Sequence, residues 1–98
     1  MIKTEEKKVL LTMYYMGKLV EGGFVESGGP MLSVTGFDMA MDLVESGEKL
    51  DIDDVTFALE EMDMVDKNSI AAFTILIMSA QDIGIEKMNE KLKNKNDE

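Results

Sequence analysis

The side chains that could do chemistry in this chain are almost all carboxylates. Asp51, Asp53 and Asp54, with Asp63 further along, have part of the alternation a calcium loop uses. Such a loop needs a glycine at its sixth position and a bidentate glutamate at its twelfth. Here those places hold Thr56 and Met62. The stretch reads instead as the acidic start of a helix capped by Asp51. Glu60, Glu61, Asp63 and Asp66 form a second cluster, in which two carboxyls could divide acid and base roles on a sugar. That chemistry wants a deep pocket with aromatic walls. The chain has four Phe, two Tyr and no Trp, so a solvated face is the better reading. Because these acids sit at a helix C-terminus they oppose the dipole, which a cationic partner would explain.

Other chemistries lack their residues. There is no His, no Cys and no Arg. Zinc centres, haem ligation, thiol nucleophiles, disulfides and histidine-based triads are excluded, and so is a histidine pH switch. Gly22-Gly23 and Gly28-Gly29 lack the following Lys-Ser/Thr of a phosphate cradle and read as turns. Ser27, Ser33 and Ser46 are read without an activating base. No catalytic residue, metal ligand or cofactor site is assigned, and the chain is expected not to be an enzyme.

The charge is unevenly placed. The net charge is −10 over 98 residues. Residues 1–18 hold four lysines against two glutamates, and residues 67–98 are balanced. Residues 19–66 hold thirteen acids against Lys49 alone, so the middle of the chain carries the whole excess. A field of that sign repels phosphate backbones and attracts basic surfaces. The N-terminal residues lack the pattern of a secretion signal. The longest near-apolar run, Ile70 to Met78, is too short to span a bilayer. A cytoplasmic protein without membrane contact is expected.

The elements that position these groups follow from periodicity. Thr4 to about Gly22 reads as a helix, with Val9, Leu10, Met13, Met16 and Val20 in a stripe that Leu11, Tyr14 and Leu19 widen. A stripe that wide belongs at the centre of the fold or of a homodimer. Phe24-Val25-Glu26 and Met31-Leu32-Ser33-Val34 read as short strands around the turn Ser27–Pro30. Thr35 is read as the cap of a second helix ending near Ser46, with Phe37, Ala40, Met41 and Val44 on one face and Asp38, Asp42 and Glu45 in line opposite. A third helix runs from Ile52 to about Met62, and Asn68 or Ser69 opens a fourth, apolar all round over Ile70 to Met78. The β-branched residues there also allow a strand, but the run on to Ala80-Gln81 with two alanines inside favours helix, and Gly84 interrupts before a last short helix. The expected fold is mainly α, with about four to five helices and one hairpin. Residues 1–92 form one domain and 93–98 a disordered tail.

Ten methionines are many for this length, and at helical spacing they read chiefly as core. Phe57 and Met64 are the exception. They lie off the inward face of the third helix among acids, and would make an apolar spot in an acidic rim, a protein-binding pattern.

Leu19 to Glu26, the glycine turn, and Leu32-Ser-Val-Thr-Gly-Phe-Asp-Met-Ala-Met-Asp-Leu43 resemble the back half of a winged helix, over about residues 19–43. The resemblance implies a recognition helix, a two-stranded wing and DNA contact. Lys3, Lys7, Lys8 and Lys18 would then meet phosphates. The stretch Gly23 to Val34, however, has no basic residue and contains Glu26. The leading expectation is therefore a non-enzymatic acidic regulator or adaptor that binds a basic protein surface. The residues expected to carry that binding are Asp38, Asp42, Glu45, Asp53, Asp54, Phe57, Glu60, Glu61, Asp63 and Met64. A winged-helix-like DNA-binding regulator is the alternative. A DNA mimic that blocks a nucleic-acid-binding protein is the third.

Overall fold

The first helix, α1 (Thr4–Glu21), carries Glu5 and Glu6 in its first turn and Lys18 in its last, each sign at the end of the dipole that favours it. The computed structural model describes residues 4–26 and 31–96. Leu11, Thr12, Tyr15, Met16 and Leu19 recur along one side of α1 and are buried. The stripe is wide because α1 is the hub: α2 (Val34–Glu45), α3 (Ile52–Glu61) and α4 (Lys67–Asn96) all pack on it. The buried side is not the expected stripe throughout: of Val9, Leu10, Met13, Met16 and Val20, Met16 is buried, Val9, Leu10 and Met13 are half-buried, and Val20 is exposed. Val55, Leu59 and Ile77 complete the centre of the core. The Cα radius of gyration is 13.4 Å, close to the roughly 13 Å of a folded chain of this length.

Each later helix opens on a side-chain cap. The Ser33 hydroxyl accepts the Gly36 N–H at 3.0 Å and starts α2. At α3 the capping is reciprocal. The Asp51 carboxylate accepts the Asp54 N–H at 2.8 Å, and the Asp54 carboxylate accepts the Asp51 N–H at 3.0 Å. The Asp66 carboxylate starts α4, taking the Ser69 N–H at 2.9 Å and the Ser69 hydroxyl at 2.7 Å. Asp51 is the cap the sequence indicates. The caps of α2 and α4 lie two and two to three residues before the expected Thr35 and Asn68 or Ser69.

The hairpin is overturned: among the described residues there is no strand. Phe24 closes α1, its N–H donating to the Leu19 carbonyl at 2.9 Å, and Phe24 and Val25 fold against the core. Val34, expected to end a strand, is the first residue of α2. The expected turn, Ser27 to Pro30, lies outside the described residues. Runs of three or four residues are weak strand signals, and here helix ends claim both. Without a hairpin there is no wing, and the chain is not a winged helix.

Three helices end in the same way. At α1, α2 and α3 a residue at positive φ donates to a carbonyl three back, and its successor donates to one five back. The bonds are Gly23 to Val20 and Phe24 to Leu19, Gly47 to Val44 and Glu48 to Leu43, and Asp63 to Glu60 and Met64 to Leu59. The left-handed residue is glycine twice, at φ 79° and 86°, and Asp63 once, at φ 65°. In α4, Gly84 at φ 83° and ψ 161° breaks the helical path and kinks the helix, as its position in the sequence indicates. Helix is assigned through Asn96, and residues 97–98 lie outside the described residues.

Gln81 ties the connection between α2 and α3 to α4. The Leu50 N–H donates to Gln81 Oε1 at 2.7 Å, and Gln81 Nε2 donates to the Leu50 carbonyl at 2.8 Å. By length and composition alone, Lys67–Lys93 could cross a membrane. In the fold, the same helix supplies Thr74, Ile77, Ala80 and Met88 to the buried interior.

A candidate partner-binding groove

α2 and α3 both lie against α1, yet no Cα of α2 comes within 8 Å of one in α3 or α4. Between them is a groove of about 500 Å³. Its apolar lining is Val9 and Leu10 from α1, Met39 from α2 and Phe57 from α3. Glu5, Glu6 and Glu61 bring carboxylates to it. Helical spacing explains the arrangement. Glu5 and Val9, Glu6 and Leu10, and Phe57 and Glu61 are each four residues apart, so each acid sits one turn from an apolar neighbour on the same face. The three glutamates are exposed and the four apolar residues are half-buried.

Lys8 fixes one wall. Its Nζ stands 5.2 Å above the Phe57 ring centroid and 3.2 Å from Asp54 Oδ1. Burial works to raise the Asp54 pKa. Hydrogen bonds from the Asp51 N–H and from Lys8, together with the Lys8 charge, outweigh it and hold the carboxyl below its usual value. Asp54 is therefore occupied twice within the fold, as a cap and as an ion-pair partner.

The other lysines put forward for phosphate contact are also engaged. Lys7 pairs with Glu48 at 2.9 Å. Lys18 lies 3.6 Å from Glu21 and over the rings of Tyr14 and Phe37, at 5.5 and 5.9 Å. Lys3 lies outside the described residues. Cations held in this way do not form a free basic face.

The acids expected at a partner surface fall into separate groups. Phe57 and Glu61 meet in the groove. Asp38, Asp42 and Glu45 are exposed along α2 but do not line it. Asp53 is exposed in the first turn of α3, and Glu60 is exposed at its end. Asp63 terminates α3. Met64 packs half-buried against the core rather than beside Phe57 in the groove. The calcium-loop spacing falls on the cap and body of α3, and no three Asp or Glu converge as a metal site among the described residues.

Sequence reasoning passed over Glu5, Glu6, Val9, Leu10 and Met39 as groove residues. The width of the α1 stripe was a signal for Val9 and Leu10 alone. It also passed over the Ser-x-x-Lys spacing of Ser46 and Lys49. Ser46 caps the C-terminus of α2 and its hydroxyl donates to the Leu43 carbonyl at 2.9 Å. The left-handed Gly47 intervenes, so Lys49 is not one helical turn along from Ser46, and the Ser46 hydroxyl is engaged with the Leu43 carbonyl.

Compared with protein-family models, with curated proteins and with solved structures, the chain gives no significant match. The groove is read from its own chemistry.

Proposed function

We propose that this protein is a small non-enzymatic adaptor or regulator of the cytoplasm that acts by binding a protein with a basic surface. One observation carries the reading: a half-open apolar groove edged by three exposed glutamates, in a chain of net charge −10. Apolar contact at the centre with charge at the rim is the usual anatomy of a protein interface. The negative field speeds encounter with a basic partner and discourages an acidic one. The lysines of α1 lie within ion pairs and over aromatic rings, which leaves the field around the groove negative.

The test is affinity capture from cells, with nuclease treatment, using the intact chain, a Glu5→Lys/Glu6→Lys/Glu61→Lys variant and an Asp38→Lys/Asp42→Lys/Glu45→Lys variant. The reading expects a protein that survives nuclease and is lost with the first variant only. Loss with the second variant alone, in favour of a partner that DNA displaces, would replace it with phosphate mimicry along α2. A captured protein indifferent to both variants would refute it.

A further inference from the structure

The shape of the groove says more than its charge. Its floor is α1 and its walls are α2 and α3, two helices held apart by the helix beneath them. A slot of that build is open to a further helix lying against all three. An α-helix with its side chains is about 10–12 Å across, and ridges of one helix seat in the grooves of its neighbours at interaxial distances of about 8–10 Å. An extended peptide has nothing comparable to join, since no strand and hence no open sheet edge exists among the described residues. Resting on the adaptor reading, we infer that the groove takes one amphipathic helix of the partner, with Leu-like residues at helical spacing pressed on Val9, Leu10, Met39 and Phe57 and lysines or arginines flanking them.

The charge complement is specific in place. Glu5 and Glu6 stand on the floor helix α1 and Glu61 on the α3 wall, so a helix seated in the groove meets carboxylates from two of its three elements. Cations beside its apolar face are then matched, while acids there meet like charge. Lys8 does not cancel this, because its charge faces Asp54 and the Phe57 ring. Phe57 is the natural anchor. It is aromatic, half-buried, and absent from the residues that pack on the core. Met39 opposite it is unbranched and adjusts to different apolar faces.

The probe is a fluorescein-labelled peptide of leucine and lysine only, about four turns long, with leucines at helical spacing. Two companions share its length: one of the same composition in strict alternation, and one with glutamate in place of lysine. Binding to the full chain is followed by fluorescence polarisation and by the gain in helical circular dichroism. The helical lysine peptide is expected to bind and gain helix. Phe57→Ala should weaken it about tenfold or more, as for an interface anchor. Ile75→Ala, an apolar change on the outer face of α4 where Ile75 is 67% exposed, should leave it within about twofold, as for a surface residue outside the interface. Thermal melts of both variants establish that they are folded. Equal binding of the two lysine peptides, lost in salt and indifferent to Phe57→Ala, would overturn the helix while leaving an acidic adaptor surface standing. Equal binding of the glutamate peptide would overturn the charge match. No binding by any peptide would overturn the inference, and the capture experiment then judges the adaptor reading on its own.

Discussion

Replacing Asp63 by glycine should make the protein more stable. Asp63 holds the left-handed position that ends α3, at φ 65°, where α1 and α2 use Gly23 and Gly47. A side chain in that conformation costs roughly 1–2 kcal/mol, somewhat less for Asp than for most residues. The carboxylate adds about 0.3–1 kcal/mol of unfavourable interaction with the negative end of the helix dipole. Glycine removes both but loses about 0.5–1 kcal/mol through the freer unfolded chain. The balance is a gain of about 1 kcal/mol, or roughly 4–8 °C in melting temperature for a domain of this size. Asp63→Asn removes only the charge and should recover about 0.3–1 kcal/mol, falling with added salt. Gly23→Ala and Gly47→Ala supply the opposite sign. A Cβ at either place would meet nothing within 4 Å, so the loss of roughly 1–2 kcal/mol would come from φ alone. Urea unfolding of the four variants, fitted to two states, measures the set. If both glycine variants lose stability while Asp63→Gly gains none, Asp63 makes a compensating local interaction and the argument for that site fails. If the glycine variants are neutral, the reading of all three helix ends fails.

Four further changes follow from single contacts. Gln81→Ala leaves the Leu50 N–H and carbonyl without their partner and should cost about 2–3 kcal/mol by thermal or urea unfolding. Thr12 is fully buried, and its hydroxyl has no hydrogen-bond partner among the described residues. Thr12→Val should therefore be neutral to about 1–2 kcal/mol stabilising, and a clear loss would show that the hydroxyl is satisfied after all. Hydrogen bonds from the Ser69 hydroxyl and N–H hold the Asp66 carboxyl below its usual value of 3.8. A depressed folded-state pKa contributes stability above the unfolded value that is lost as pH falls through the folded one. The gap between the intact protein and Asp66→Ala should be present at neutral pH and shrink below about pH 4. Glu61→Lys places a cation at the C-terminal end of α3, and should raise stability by about 0.3–1 kcal/mol while abolishing partner capture.

The helical content was legible and the groove was not. α1 and α3 read clearly because their apolar residues keep a helical period and their ends carry recognised signals: Gly22-Gly23 after one, Asp51 before the other. The run from Ile70, apolar on all sides, shows no such period; its length and its alanines favoured helix over strand, and Gly84 marked the break. The hairpin misled because Met31-Leu32-Ser33-Val34 suits a strand as well as the approach to a helix. The bonds from the Gly36 N–H to the Ser33 hydroxyl and from the Phe37 N–H to the Ser33 carbonyl decide for the helix. The end of α3 lacks the glycine that marks the ends of α1 and α2, so Asp63 passed for one more surface acid. Phe57 was put forward beside Met64 and Glu61 as one of a cluster of acids; the four residues between Phe57 and Glu61 are what place the two on one face of α3. Their partners come from α1 and α2, and no periodicity along the chain reports how far apart α2 and α3 sit.

The acids at the end of α3 are arranged against the stability of the fold, and the groove gives that arrangement a consequence. Glu60, Glu61 and Asp63 crowd the negative end of a helix with no cation in its last turn. α1 follows the electrostatic rules, with acids at its start and Lys18 at its end, whereas α2 closes on Asp42 and Glu45 without a cation, as α3 does. The departure at α3 differs in its position. It falls on the helix whose last turn delivers Glu61 to the groove, where the dipole adds to the charge that Glu5 and Glu6 contribute from α1. The interaction that weakens α3 in the free protein is relieved when a cation arrives. On the proposed reading, a basic partner would gain both from contact with Glu61 and from relief of the unfavourable charge at the helix end, and an acidic partner would not.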